Sequence, residues 1–133
     1  MTARILVIED NAANLELVRY LLSASGHTVL MASDGAQGIA VARRERPDLI
    51  ICDLQMPVLD GYQVLAQLRE QPGAFESVVV AVTAFSMPRD REKVLTAGFD
   101  GYLSKPIEPE TFVAHIETFL PVGLRSTPPA TDT

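Results

Sequence analysis

Cysteine occurs once in the 133 residues, at Cys52, so no internal disulfide can form and the chain suits a reducing compartment. No apolar run approaches the ~20 residues that a membrane-spanning helix requires. The opening residues Met1-Thr2-Ala3-Arg4 lead straight into a strand-like run, with no signal-peptide pattern. Together these absences predict a cytoplasmic protein without membrane contact. Basic residues are also scarce: 11 Lys and Arg against 17 Asp and Glu leave a net charge of −6, which argues against direct binding of nucleic acid. Binding through a partner is still open. What remains is ordinary for a soluble globular chain, with 47% apolar and 21% charged residues and enough length for one core.

Five short apolar runs alternate with five helical patterns. Ile5-Leu6-Val7-Ile8 is the first run, and it ends in Glu9 and Asp10. Residues 11–25 have Leu15, Val18, Leu21 and Leu22 at helical spacing, with Gly26 as the stop. Residues 28–32 form a second strand candidate, and residues 35–46 a helix patterned through Ala36, Ile39, Ala40 and Arg43 and closed by Pro47. Leu49-Ile50-Ile51-Cys52 is a run suited to a strand buried on both faces, and it ends on Asp53. Residues 62–70 are helical, with Val64, Leu65 and Leu68 inward and Pro72-Gly73 as the break. Val78-Val79-Val80-Ala81-Val82 is the strongest β signal and ends at Thr83. A helix over 88–97, a strand over 101–104 leading to Lys105-Pro106, and a helix from Pro109 carrying Phe112, Val113, Ile116, Phe119 and Leu120 complete the pattern. The reading is one domain over residues 1–120 and a disordered Pro/Thr-rich tail over 121–133. Alternation of this kind implies a parallel α/β sheet with helices on both faces, in the flavodoxin-like doubly wound order 2-1-3-4-5.

In such a sheet the carboxyl ends of the strands share one edge, which gathers Glu9, Asp10, Asp53, Thr83 and Lys105. Three carboxylates held together repel one another and call for a cation. Hard oxygen donors with open positions suit Mg²⁺, held by Asp10 and Asp53 and by Glu9 directly or through water. Asp53 is then a carboxylate nucleophile that forms an aspartyl phosphate, with Lys105 pairing with a phosphoryl oxygen and Thr83 hydrogen-bonding to another. Alone, Glu9-Asp10 would read as an acidic helix start, and Lys105 as a surface lysine. Their common edge decides otherwise. By strand alternation Cys52 points away from Asp53, as a small core residue. His27 and His115 fall outside the strand ends and receive no catalytic role. Arg89, Asp90, Arg91, Glu92 and Lys93 read as a solvated helix face that can also meet partners.

Val7-Ile8-Glu9-Asp10-Asn11, Asp53-Leu54-Gln55-Met56-Pro57 through Asp60-Gly61, Val82-Thr83-Ala84 and Ser104-Lys105-Pro106 resemble the receiver domains of two-component response regulators, over residues 3–120. The resemblance implies a switch rather than an enzyme. Asp53 would accept a phosphoryl group from a histidine kinase or histidine phosphotransfer protein, with a downstream protein as target. It further implies that the Gln55 backbone carbonyl ligates the metal and that the Lys105–Pro106 peptide is cis. Thr83 would be coupled to Tyr102, the aromatic of the fifth strand, and through it to a surface of the fourth helix, fifth strand and fifth helix. A weak homodimer is compatible with this. The run from Ala81 to Met87, which includes Phe85, is similar to single-domain regulators of bacterial cell-cycle phosphorelays, and no DNA-binding output segment follows Leu120. Gln55 and Phe85 stand where they would govern water access to the site. Three rivals fit less well. One is a receiver-like fold kept only as a binding module without phosphorylation, and the filling of all five site positions counts against it. A haloacid-dehalogenase-type phosphatase wants an acid where Gln55 stands, and a flavodoxin wants a phosphate-cradling loop where Glu9-Asp10 would repel one.

Overall fold

The structure, a computed structural model, describes residues 2–70, 77–84 and 87–125. Five parallel strands, β1 (Arg4–Ile8), β2 (Thr28–Ala32), β3 (Leu49–Asp53), β4 (Val78–Thr83) and β5 (Gly101–Ser104), lie in the order β2-β1-β3-β4-β5. They alternate with α1 (Ala12–Ala24), α2 (Gly35–Glu45), α3 (Gly61–Arg69), α4 (Pro88–Ala97) and α5 (Pro109–Glu117). This is the architecture the sequence predicts. The central strand β3 is buried at every residue, as its unbroken apolar run requires.

Strand alternation sorts the interior into two cores. Leu6 and Ile8 of β1 face one side, with Ile50, Cys52, Val79 and Ala81, and there they meet α2, α3 and α4. Ile5 and Val7 face the other side, with Leu49, Ile51, Val80 and Val82, and they meet α1 and α5 through Val18, Leu22, Phe112 and Ile116. Cys52 is fully buried in the first core, as alternation predicts. Among these helices α4 is the most lightly held. Val94 is its single buried residue, supplemented by the Lys93 ammonium 5.0 Å from the Tyr62 ring centroid.

Three corrections to the sequence reading emerge. The buried face of α2 is Gly35, Gly38, Ile39 and Ala42, whereas Ala36, Ala40 and Arg43 are exposed. The reason is close approach: a Cβ at Gly38 would lie 2.4 Å from Ile8 Cδ1, so this helix is seated on the sheet by what it lacks. Next, α5 ends at Glu117, and Phe119 and Leu120 pack inward from the turn that follows. Lastly, the chain expected to be structureless from Pro121 forms a 3-10 turn, Val122–Leu124, with Leu124 against the second core. Pro72-Gly73, Phe85 and residues 126–133 lie outside the described residues.

His27 is also more integral than the sequence suggests. It is buried at the amino end of β2, its Nδ1 accepting the Ala3 N–H (2.9 Å) and its Nε2 standing 2.7 Å from Glu117 Oε2. With Nδ1 engaged as an acceptor, the ring proton sits on Nε2 and is donated to the buried Glu117 carboxylate. The pair ties the end of α5 to the start of β1 and β2.

Candidate functional site

Strand ends and helix caps build the site. Asp53 closes β3 and Glu9 follows β1, whose ladder continues through Glu9 N–H to Ala32 O at 3.1 Å. Asn11 caps α1 by accepting the Asn14 N–H, and Asp60 caps α3 in a reciprocal bond with Gln63, so both acid-bearing loops are pinned at their far ends. Between Asp53 and Asp60 the chain turns back on itself, Gly61 N–H donating to Leu54 O at 3.1 Å. Gly61 is needed there, since a Cβ would lie 2.8 Å from the Asp53 carbonyl oxygen and 2.9 Å from Leu54 Cα. On the other side Lys105 N–H donates to Thr83 O at 2.8 Å, setting the lysine beside β4, and the Lys105–Pro106 peptide that follows is cis.

The predicted residues do come together. Carboxylate oxygens of Glu9, Asp10 and Asp53 all lie within 4.8 Å of one another, Glu9 and Asp53 buried and Asp10 exposed. Lys105 Nζ stands 3.1 Å from Glu9 Oε1 and 3.2 Å from Asp53 Oδ2. Two carboxylates 5 Å apart repel by about 3 kcal/mol at an effective dielectric of 20. Burial, then the neighbouring Asp53 carboxylate, push Glu9 up from 4.5 to about 7, against the pull of Lys105. Burial alone would lower Lys105, but its bonds to Glu9 and Asp53 outweigh it and hold the ammonium above its ordinary value. The donor set fits a small hard cation. Ligands of one octahedral Mg²⁺ at ~2.1 Å lie at most ~4.2 Å apart, so the cluster needs to close by only about half an ångström.

Thr83, fully buried, pairs with Ser104 across the β4–β5 ladder, and Tyr102 pairs with Ala81. Residues two apart share a face, so Thr83 and Tyr102 lie diagonally on the same side of the sheet, with the small Ala81 between them. Tyr102 is half-buried against the core shared with α3 and α4, and it lines a groove of about 730 Å³ between α4, β5 and α5. Thr83 lines a separate cleft of about 310 Å³ with Gln55, Tyr62 and Lys93.

One contact escaped the sequence reading. Gln55 Nε2 donates to Thr83 Oγ1 at 2.7 Å, while its backbone N–H donates to Asp53 Oδ1 at 3.2 Å. Residues 28 positions apart carry no local signal of such a bond.

The receiver domain of response regulators, as a sequence family, matches residues 5–117. The chain belongs to that family. This receiver is 36% identical over 120 residues to the polar-differentiation response regulators DivK of Brucella abortus and Brucella suis, covering 90% of the chain and 98% of each relative. The receiver also superposes on the chemotaxis response regulator CheY4 of Vibrio cholerae with a TM-score of 0.84 at 28% identity, over 90% of this chain and 100% of that one. The receiver domain of the sensor histidine kinase PA1611 of Pseudomonas aeruginosa, solved with a magnesium ion coordinated in its active-site cleft, aligns at 33% identity and a TM-score of 0.79, over 90% and 98% of the two chains. Receivers are two-component signalling switches rather than conventional enzymes, and as a family they work with histidine kinases and downstream targets. Among the described residues no helix is long and apolar enough to cross a membrane.

Proposed function

We propose that this receiver accepts a phosphoryl group from a phosphohistidine of a kinase or phosphotransfer protein onto Asp53, with Mg²⁺ as cofactor. The observation that carries the reading is the placement of a buried carboxylate, Asp53, at a strand end with Lys105 Nζ 3.2 Å away and two further acids within 4.8 Å. A lone strand-end acid would need none of that company.

Asp53 Oδ attacks phosphorus in line, the P–O bond forming as the P–N bond to the donor imidazole breaks, and the imidazole leaves to pick up a proton. Glu9, Asp10, Asp53 and the Gln55 carbonyl are the residues that would hold Mg²⁺, and the ion supplies positive charge against the carboxylate and phosphoryl oxygens. Lys105 transfers its contact from Asp53 Oδ2 to a phosphoryl oxygen, a charge-assisted bond it is already within reach to make. Thr83 donates its hydroxyl to another oxygen. As Thr83 moves, space beside Ala81 opens to the Tyr102 ring, and the groove between α4, β5 and α5 changes shape. The switch is a shift between two packings, weighted by the new hydrogen bonds. Output then passes through protein contacts on that groove.

Intact mass after incubation with acetyl phosphate tests the reading. The expected result is one phosphoryl adduct that requires Mg²⁺ and is lost in Asp53→Asn. An adduct that persists in the variant would mean that another carboxylate is the acceptor. No adduct on the wild type would sink the phosphorylation reading as a whole.

A further inference from the structure

The loop between β3 and α3 is fixed at nearly every position. Leu54 N–H donates to Val82 O at 3.0 Å, Met56 is buried, Leu59 packs on the core, and Asp60 caps α3. Val58 stands apart. The residue is 97% exposed, and its backbone lies in the left-handed region at φ 70. Across it Leu59 N–H donates to Pro57 O at 2.8 Å, closing a γ-turn of the strained, positive-φ form. A β-branched side chain is among the worst suited to that conformation, whereas Gly or Asn adopts it readily. Nothing in the packing of the domain asks for valine here. A backbone held against the preference of its own residue, at a position that nothing else in the fold uses, suits a contact made with another molecule.

Position narrows what that molecule is. Five residues of chain reach at most ~18 Å, which bounds the distance from Asp53 to Val58, and the loop doubles back well inside it. A standard interface covers about 800 Å² per partner, a disc of ~16 Å radius. Asp53 is only 3% exposed, so a phosphohistidine must reach it from the edge formed by the β–α loops, and the donor's body must rest on them. Building on the reading of Asp53 as acceptor, we propose that Val58 is a specificity-determining contact for the phosphohistidine donor. It enters an apolar hollow on the donor's surface, within about 16 Å of the phosphorylated imidazole. Val58 touches neither the phosphoryl group nor the carboxylates.

The test compares wild type, Val58→Asn and Val58→Asp in two reactions. One is phosphorylation by acetyl phosphate with Mg²⁺; the other is transfer from purified, autophosphorylated histidine kinases and phosphotransfer proteins of the same organism. Expected are unchanged rates with acetyl phosphate in all three, a raised urea midpoint for Val58→Asn, and a fall of about tenfold in kcat/KM for the preferred donor in both variants. A donor panel that treats all three proteins alike overturns the proposal while leaving Asp53 as acceptor. An equal slowing with acetyl phosphate also overturns it, since Val58 would then act through the site's architecture. A wild type that acetyl phosphate does not label removes the premise itself.

Discussion

Substituting Gly61→Ala probes how rigidly Asp53, the proposed phosphoacceptor, is backed. Gly61 has no positive φ, so alanine meets no conformational penalty there, and at a helix start it gains up to about 1 kcal/mol of propensity. Against this stands the contact. The new Cβ would sit 2.8 Å from the Asp53 carbonyl oxygen and 2.9 Å from Leu54 Cα, both backbone atoms that cannot rotate away. A carbon and an oxygen in ordinary contact are about half an ångström farther apart, so the loop carrying Asp53 must move by that amount. Overpacking of this kind costs about 1–3 kcal/mol, for a net loss near 1–2 kcal/mol. With a urea m-value of about 1.5 kcal/mol/M the unfolding midpoint falls by roughly 1 M. A displacement of 1 Å at reacting groups costs about a hundredfold in rate, so half that distance predicts phosphorylation by acetyl phosphate slower by about tenfold. Gly123→Ala, where the new Cβ meets nothing within 4 Å, is the control and should change neither quantity. A Gly61→Ala protein with wild-type midpoint and wild-type rate would refute the reasoning.

Other outcomes follow from the same geometry. Glu9 titrates near 7 in the folded chain against 4.5 unfolded, so the folded state binds its proton more tightly. That contribution to stability is present below about pH 4.5 and is lost as pH rises through 7. In EDTA the urea midpoint should therefore drop between pH 6 and pH 8, and Glu9→Gln should flatten that drop. His27→Ala removes a buried donor to Glu117 at 2.7 Å and should lower stability by about 2–3 kcal/mol in urea melts. It should leave acetyl phosphate labelling intact, because His27 sits at the opposite edge of the sheet from Asp53. Gln55→Ala removes the 2.7 Å bond to Thr83 Oγ1 and should shift the Tyr102 ring resonances of the unphosphorylated protein toward their phosphorylated positions. Resonances that stay in place would mean that Gln55 does not restrain Thr83.

Much of this molecule is legible in its sequence because the signals are local. A strand buried on both faces must be an unbroken apolar run, and a site at its end must be whatever polar residue stops the run. Ile5-Leu6-Val7-Ile8 before Glu9, and Leu49-Ile50-Ile51-Cys52 before Asp53, carry both messages at once. Where burial works through small residues the message is lost. Gly38 seats α2 on Ile8 and Ala42 is buried one turn further on, yet glycine carries no apolar signal, and a pattern drawn through Ala36 and Ala40 selects residues that are exposed. Pairings between distant residues are equally silent. His27 and Glu117, 90 positions apart, carry no mark of their pairing until the fold joins them, and the amide of Gln55 gives no hint of Thr83. Val58 shows a third kind of silence, since a backbone angle leaves no trace in residue order.

The light anchoring of α4 has its own consequence. A single buried valine is worth about 1.5–3 kcal/mol, and a cation–π contact at the surface about 0.5–1. One charge-assisted hydrogen bond falls in the same range, about 1.5–3 kcal/mol. If Asp53 is phosphorylated as proposed, the counterweight on this arm of the protein matches the load that one phosphoryl group can place on the other, and the arm sits near its tipping point. A heavier helix, with three or four buried side chains, would stay put whatever happened at Asp53. A lighter one would move without being told.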